Sequence, residues 1–242
     1  MMNIGVIFAG GVGSRMHSRE IPKQFLKIHN KPIIIHTIEY FENNIEIDAI
    51  VVVCVEDWIE HLKSELKKFN ITKVQKIVKG STTGQLSIYN GLLAAEELAC
   101  GQDSIVLVHD GVRPLINNKL ISENILCVKE NNTAITTSIV KETIVSINDD
   151  NAIDFVPSRV HSRVAKAPQS FWLKDIISAH RKALNEEKTD FIDCCTMMKY
   201  YGHKLTIVDG PYENIKITTP DDYYTMRAIL DTKENSQIYG LD

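Results

Sequence analysis

The feature that most constrains this chain is a glycine-rich stretch, residues 10–13 (Gly-Gly-Val-Gly), placed directly after a short apolar run at residues 4–8. The apolar run predicts a buried strand. The glycines let the backbone turn sharply and present bare N–H groups to a ligand. Arg15 and Lys23 then supply two cations, a planar guanidinium and a compact ammonium. This combination is typical of a polyphosphate site, although a tight turn with ordinary surface cations has the same pattern.

Two common phosphate-binding motifs do not fit this stretch. A P-loop ends in Gly-Lys-[Ser/Thr], and no lysine directly follows a glycine here. The dinucleotide fingerprint Gly-x-Gly-x-x-Gly needs a small third residue where Met16 stands, and a large side chain there would disturb helix–strand packing. A P-loop kinase and an NAD-dependent dehydrogenase are therefore disfavoured.

Composition narrows the function further. The chain has 242 residues, 44% of them apolar, and a formal net charge of −4, which suits one α/β domain with or without an arm. It shows no basic excess for nucleic acid, no apolar stretch long enough to span a bilayer and no secretion signal. The five cysteines form no Cys-x-x-Cys pair, as expected of free thiols in a reducing compartment. We expect a cytoplasmic protein without a nucleic-acid partner or membrane insertion.

Strand and helix patterns alternate in the first half of the chain. Residues 49–55 form a β-branched run typical of a central parallel strand, and residues 58–69 carry apolar side chains at helical spacing. We predict a doubly wound, mostly parallel α/β sheet, with its ligand site at the carboxyl ends of the strands. Further strands are expected at residues 73–78 and 104–108, and further helices at residues 32–41 and 87–98.

The second half begins with a different pattern. Two runs rich in Thr, Ile and Val, residues 134–145 and 152–156, flank the turn signal Asn148-Asp149-Asp150-Asn151. They predict a β-hairpin, which is either an edge decoration or a protruding arm. Beyond it we expect helices at residues 172–184, 190–201 and 220–230, the last with Thr219 as N-cap, and strands at residues 204–208 and 214–218.

Three further segments could carry chemistry. Asp110 ends a predicted strand, where it could hold Mg²⁺ or instead cap the next turn and pair with Arg113. The small-residue loop at residues 80–87 could contact a base, or be a plain loop with Ser87 as helix cap. Residues 159–163 include Arg159, His161 and Arg163, which suit an anion site or a solvated basic turn.

Together these segments resemble the CTP-dependent cytidylyltransferases that act on phosphorylated polyols. The first stretch matches their Gly-Gly-x-Gly-[Ser/Thr]-Arg-Met and Pro-Lys-Gln motifs, residues 109–114 match His-Asp-[Ala/Ser]-x-Arg-Pro, and residues 214–218 match Asn-[Ile/Leu]-Lys-[Ile/Val]-Thr. The resemblance covers roughly residues 3–229. It implies a Rossmann-like nucleotidyltransferase fold, CTP and a polyol phosphate as substrates, and Mg²⁺ as cofactor. Residues 1–242 would then form one catalytic domain.

The resemblance also implies roles for individual residues. Arg15 and Lys23 would be catalytic, stabilising charge in the transition state, and Asp110 would bind the metal. His109 is expected to be structural, since a phosphate nucleophile is already ionised and needs no base. The nucleotide-binding residues implied are Phe8, Ala9, Gly10, Gly11, Gly13, Ser14, Gly80, Ser87, Asp110 and Gly111.

The second substrate's phosphate would be positioned by Lys216, Arg159 and Thr143. In the family, the arginine corresponding to Arg159 commonly serves a site across a dimer interface. The segment at about residues 136–160 would then be an arm that clasps a second copy in a homodimer. An acidic position that matches Asp193 would face the polyol hydroxyls.

The chain departs from the family with Gly84 where an arginine usually stands, Ala167 in place of a threonine and Glu142 in place of an aspartate. Residues 156–161, Val-Pro-Ser-Arg-Val-His, resemble the branch that uses ribitol 5-phosphate. We therefore favour ribitol 5-phosphate as acceptor. The alternatives are 2-C-methyl-D-erythritol 4-phosphate, from isoprenoid synthesis, and an idle protein that binds CTP or a CDP-polyol.

Replacing Lys23 by alanine tests its assigned role. Losing one donor that stabilises developing charge typically costs about a hundred- to a thousandfold in rate, and we expect that loss for Lys23→Ala. The measurement is pyrophosphate release from CTP and a polyol phosphate. Near-normal turnover would remove Lys23 from the mechanism.

Overall fold

A computed structural model describes residues 1–10 and 21–239 of the chain, the side chains of residues 236–239 excepted. Strands and helices alternate along most of it. The strands are β1 (Met2–Ala9), β2 (Lys27–Ile28), β3 (Lys31–Pro32), β4 (Ala49–Cys54), β5 (Val74–Lys79), β6 (Ser104–Asp110), β7 (Thr133–Ile139), β8 (Ser146–Ile147), β9 (Ile153–Phe155), β10 (Arg163–Trp172) and β11 (Ile207–Asp209). The helices are α1 (Ile33–Glu42), α2 (Ile59–Lys68), α3 (Gly84–Ala99), α4 (Asn118–Asn131), α5 (Leu173–Asn185), α6 (Cys194–Tyr200) and α7 (Pro220–Tyr239).

Seven strands form one sheet in the order β11-β7-β10-β6-β1-β4-β5. All neighbouring pairs are parallel except those made by β10, which runs antiparallel to β6 and to β7. From β1 the chain moves outward through β4 to β5, then returns to β6 on the other side of β1. A topological switch point therefore lies between β1 and β6, where ligands of such sheets bind. The doubly wound, mostly parallel sheet predicted from the sequence is confirmed.

Helices cover both faces of the sheet. In β4, Ile50 and Val52 pack with α1 and α2 on one face, and Val51 packs with α3 on the other. Because every residue of β4 is buried, the strand has the continuous apolar sequence of a central parallel strand rather than an alternating one. The same alternation between the two cores recurs in β1 and β6 and fixes which side chains point toward each layer.

Polar side chains set several helix starts. Thr83 accepts a hydrogen bond from the Leu86 N–H at the start of α3, and Asn117 accepts one from the Leu120 N–H at the start of α4. The expected Thr219 cap of α7 is confirmed: Thr219 Oγ1 accepts from the Asp222 N–H at 3.4 Å, and the Asp222 carboxylate accepts from the Thr219 N–H at 2.8 Å.

Two sequence expectations are wrong in detail. Residues 134–139 belong to β7 of the main sheet, and the hairpin consists only of β8 and β9. The sequence could not show this, because a run that is buried on both faces does not indicate which strand it pairs with. Residues 214–218 do not form a strand. They are extended chain tied to the body by single contacts, such as the Ile217 N–H to the Val112 carbonyl at 2.8 Å. In the described ranges, no helix combines the length and apolar character needed to cross a bilayer.

His180 on α5 gives the fold a pH-dependent contribution to stability. Its ring is 1% exposed and stacks on Tyr89, and neither ring nitrogen finds a hydrogen-bond partner among the described residues. Burial lowers the pKa of His180 from 6.5 to about 4. The unfolded chain therefore binds a proton that the folded chain excludes, and stability falls as the pH drops from 6.5 toward 4.

His180→Phe should remove this contribution while keeping the stacked ring. Between pH 7 and pH 5 we expect the free energy of unfolding to fall by about 2 kcal/mol more in the native chain than in the variant. Denaturant titrations at the two pH values measure the difference. Equal losses in both proteins would show that His180 does not titrate as described.

Candidate active site

Two loops of the site lie in direct backbone contact. Gly10 follows β1 and Gly80 follows β5, although β4 separates the two strands. A Cβ added at Gly10 would lie 3.3 Å from the Gly80 Cα, and one added at Gly80 would lie 3.2 Å from the Gly10 Cα. Glycine at both positions lets the loops meet. The structure thus brings together two predicted nucleotide-binding residues that are 70 positions apart in the sequence.

Ser87 braces this contact from α3. Its hydroxyl donates to the Thr83 carbonyl at 2.8 Å and accepts from the Ser81 N–H at 2.9 Å, so it holds the loop that follows Gly80. The cap of α3 is Thr83, and the alternative of a Ser87 cap is wrong. Among the described residues, no atom lies within 4 Å of a Cβ built at Gly84, the position where the resembling family has an arginine.

Lys23 is held at the same edge of the sheet by its neighbour Gln24. The Gln24 side chain is 1% exposed and donates to the Ala9 carbonyl at the end of β1, at 2.7 Å. Phe25 follows and stacks on Trp58, with ring centroids 4.7 Å apart. The predicted residues Gly11, Gly13, Ser14 and Arg15 lie outside the described residues.

Asp110 ends β6, directly beside Phe8 of β1 in the register of the sheet. Its Oδ1 contacts Lys216 Nζ at 2.6 Å, and its Oδ2 contacts Arg113 Nε at 3.1 Å. Burial alone would raise the pKa of this carboxyl, but the charges of Lys216 and Arg113 outweigh burial and lower the pKa to about 2. Asp110 is therefore an anion throughout the physiological range. The pairing with Arg113 that the sequence left as an alternative is present.

The segment that carries Lys216 is fixed to the end of β6. Arg113 donates to the Asn214 carbonyl at 2.8 Å, and the Asn214 side chain, fully buried, donates to the Ala167 carbonyl at 2.7 Å. Lys216 Nζ also lies 5.5 Å from the centre of the Phe8 ring, close enough for a cation–π contact. The predicted phosphate-positioning lysine is thus brought next to two predicted nucleotide-binding residues, Phe8 and Asp110.

His109 faces away from this group. Its ring lies 5.3 Å from that of Phe41, and its Nε2–H donates to the Arg113 carbonyl at 2.9 Å. Burial lowers the pKa of His109 to about 4, so the imidazole is neutral near pH 7. It supports the turn between Asp110 and Arg113, in agreement with the structural role expected from the sequence.

A cavity of about 210 Å³ opens between β1, β6 and β10. Phe8, Asp110 and Lys216 line one part of it, and Lys166, Gln169 and Asp193 line the other. Gln169 Nε2 donates to Asp193 Oδ2 at 3.0 Å, which places the expected acidic residue on this wall. No role for Lys166 or Gln169 was expected from the sequence. The sequence pattern that could have indicated them is Ala-Lys-Ala-Pro-Gln at residues 165–169, in a segment that returns from the arm to the core.

Two predicted site residues lie elsewhere. We use "arm" for residues 140–162, between β7 and β10. Arg159 and Thr143 lie exposed on the arm, and Arg159 donates to the Lys141 carbonyl at 3.3 Å. Neither residue lines the cavity that contains Lys216. Within one chain, therefore, the structure does not bring the three predicted phosphate-positioning residues together.

Asp110 is the predicted metal ligand. Among the residues that the structure describes, no group of three or more His, Cys, Asp or Glu side chains could hold a metal by itself. Mg²⁺ needs fewer protein ligands, because it keeps several waters and takes oxygens from substrate phosphates. The buried, ionised Asp110 fits such an ion chemically. A metal bound there would share or replace the contact between Oδ1 and Lys216.

Comparison with known proteins accounts for this arrangement. A sequence model of the family described as "IspD: 2-C-methyl-D-erythritol 4-phosphate cytidylyltransferase" matches residues 3–232. The chain belongs to this family. It is therefore a nucleotidyltransferase of the cytidylyltransferase group, as its motifs indicate.

Individual relatives of this cytidylyltransferase are named after another acceptor than the one in the family description. A Streptococcus agalactiae serotype V protein named ribitol-5-phosphate cytidylyltransferase is 56% identical over 241 residues, covering 100% of both chains. A Vibrio parahaemolyticus protein of the same name is 51% identical over 239 residues, or 99% of this chain and 100% of that one. Among solved structures, the 4-diphosphocytidyl-2C-methyl-D-erythritol synthase of Anaerococcus prevotii is 30% identical, with a TM-score of 0.82 over 95% of this chain and 96% of that one.

Gln24→Met tests how Lys23 is positioned. The change keeps the side-chain volume but leaves the Ala9 carbonyl without this donor, and losing a partner of a buried polar group costs about 1–3 kcal/mol of stability. Because Lys23 is adjacent, we also expect nucleotidyl transfer to fall by about tenfold or more. Denaturant titration and pyrophosphate release measure the two effects. Unchanged turnover in a destabilised variant would mean that Gln24 does not position Lys23.

Proposed function

We propose that the protein transfers CMP from CTP to D-ribitol 5-phosphate and releases pyrophosphate, forming CDP-ribitol. The observation that carries the acceptor is the full-length similarity, at 51–56% identity, to proteins named ribitol-5-phosphate cytidylyltransferase. The family description supports the second candidate, 2-C-methyl-D-erythritol 4-phosphate. Both acceptors present a phosphate monoester as nucleophile.

The chemistry follows from the charges in the site. An oxygen of the acceptor phosphate attacks the α-phosphorus of CTP in line, and negative charge grows on the equatorial oxygens and on the leaving pyrophosphate. The nucleophile is already ionised near neutral pH and requires no base. Asp110, with its pKa of about 2, and His109, on the far face of β6, are accordingly not proton acceptors in this proposal. Catalysis consists of positioning and electrostatic stabilisation.

Each cation then has one task. Arg15 and Lys23 stabilise the charge that develops on the triphosphate, beside the amides of residues 10–13. Asp110 would hold Mg²⁺, which would supply positive charge to offset the charge of the phosphates. Lys216, 2.6 Å from Asp110, binds the acceptor phosphate. Gly80 and Ser87 lie on the side of the base.

The acceptor site is completed, in this proposal, by a second copy of the chain. Seven apolar side chains of the arm are at least 43% exposed: Ile144, Val145, Ile147, Ile153, Phe155, Val156 and Val160. Such an exposed apolar stretch on one protruding segment suits burial against another subunit. Docking of the arm would bring Arg159 and Thr143 of the partner subunit to the acceptor phosphate. All five cysteines are free thiols, which agrees with work in the cytoplasm, where CTP is available.

Pyrophosphate release tests the reaction directly. CTP and Mg²⁺ are supplied with ribitol 5-phosphate or with 2-C-methyl-D-erythritol 4-phosphate in parallel, and ATP, GTP and UTP replace CTP in further wells. We expect release with CTP and ribitol 5-phosphate. Release only with the methylerythritol compound would overturn the choice of acceptor. No release with either acceptor or any nucleotide would indicate a binding protein without turnover.

Mixing two inactive variants tests the shared site. Lys23→Ala and Arg159→Ala are co-expressed with different tags. In the mixed dimer, one site combines its own native Lys23 with the partner subunit's native Arg159. A statistical mixture should then recover about a quarter of native activity. The matched control is Lys23→Ala with Lys216→Ala, whose residues serve the same subunit and should not complement. Recovery in neither mixture, from dimers that form, would contradict the shared site.

A further inference from the structure

Lys166 is a charged residue in the cavity that the proposed reaction leaves without a role. It lies on β10 and is 7% exposed. The pairing of β10 with β7 shifts register between Ala165 and Gln169. Such irregularities re-aim side chains, and here Ala165, Lys166, Ala167 and Gln169 all line the cavity, where a regular strand would alternate between faces.

The ammonium of Lys166 is only partly satisfied. Nζ donates to the Tyr212 carbonyl at 2.7 Å and lies 5.2 Å from the centre of the Tyr212 ring. Among the described residues, no carboxylate forms an ion pair with it within 4 Å, and Glu213 acts on it only through its charge at longer range. Burial, followed by the charge of Arg113, lowers the pKa of Lys166 to about 8 against the opposing charge of Glu213. A buried cation without a directly bonded counter-charge is costly, and a ligand with acceptor oxygens offsets that cost.

The position of Lys166 in the sheet indicates which substrate it meets. The nucleotide loops follow β1 and β5, whereas β10 lies on the opposite side of β6. Lys166 therefore belongs to the wall that the acceptor occupies, together with Gln169 and Asp193. The phosphate of the acceptor already has Lys216. Lys166, Gln169 and Asp193 are therefore left to bind the polyol chain, whose hydroxyls both accept and donate hydrogen bonds.

We propose that Lys166 is a specificity-determining residue, which donates a hydrogen bond to a hydroxyl oxygen of the acceptor's polyol chain, while Asp193 accepts from a neighbouring hydroxyl. The Asp193 carboxylate retains lone pairs for this contact beyond its bonds to Gln169 and Thr196. A site built to bind a hydroxyl rejects an acceptor that lacks it, because buried polar groups are then left unpaired. This inference rests on the proposed function and deepens it.

Lys166→Met removes the charge at similar size. We expect the KM for ribitol 5-phosphate to rise by about ten- to a hundredfold, the range for a hydrogen bond to a charged group, with the KM for CTP changed by less than about twofold. The matched control is Lys174→Met. Lys174 is exposed on α5, contacts Asp103 at 3.3 Å and does not line the cavity. The control should keep both KM values, and thermal unfolding of both variants reports on folding.

Acceptor analogues that each lack one hydroxyl complete the test. For one analogue, the native chain should show the same rise in KM that Lys166→Met shows with ribitol 5-phosphate. With that analogue, Lys166→Met should show no further rise in KM. Equal KM values for ribitol 5-phosphate in the native chain and a folded Lys166→Met variant would overturn the inference, as would additive losses for every analogue. Absence of turnover by the native chain with all acceptors would instead overturn the proposed function, and the inference with it.

Discussion

The site depends on the Asp110 carboxylate and the two cations that hold it. Arg113 comes from the turn after β6 and Lys216 from the segment 214–217, so one anion joins parts of the chain that are more than 100 residues apart. Each charge is buried or half-buried, and removing one partner would leave the others uncompensated. Because the same arginine also binds the Asn214 carbonyl, the ion pairs and the backbone contacts support each other. These contacts fix the segment that carries Lys216 to the end of β6.

The central strands could be predicted from the sequence because their signal is local, whereas the contact between Gly10 and Gly80 joins residues 70 positions apart and is seen only in the folded chain. A strand buried on both faces, such as β4, requires a continuous run of β-branched residues. Asp110 could be located in the same way, as the polar residue that ends such a strand.

The elements that sequence reasoning missed are those built on buried polar contacts. Asn124 lies fully buried in α4 and donates to the Leu120 carbonyl and to Thr136 of β7, so it breaks the apolar periodicity of the helix. Ser170 of β10 donates to the same Asn124 at 3.0 Å. When the hydrogen-bond partner of a polar residue is distant in the sequence, the sequence pattern predicts a solvent-exposed side chain. Only the folded chain shows the buried partner. Lys166 was overlooked for the same reason.

The antiparallel direction of β10 has a consequence for how this protein can diversify. The residues proposed to bind CTP follow parallel strands, and among them Gly10 and Gly80 are in backbone contact while Asp110 is ion-paired. The wall opposite is a single strand with a shifted register, whose side chains enter the cavity one after another. In the proposed reaction, exchanging residues on that strand would alter the selectivity for the acceptor, while the glycine loops and Asp110 would remain unchanged. Acceptor selectivity and nucleotide chemistry can therefore vary separately in this fold.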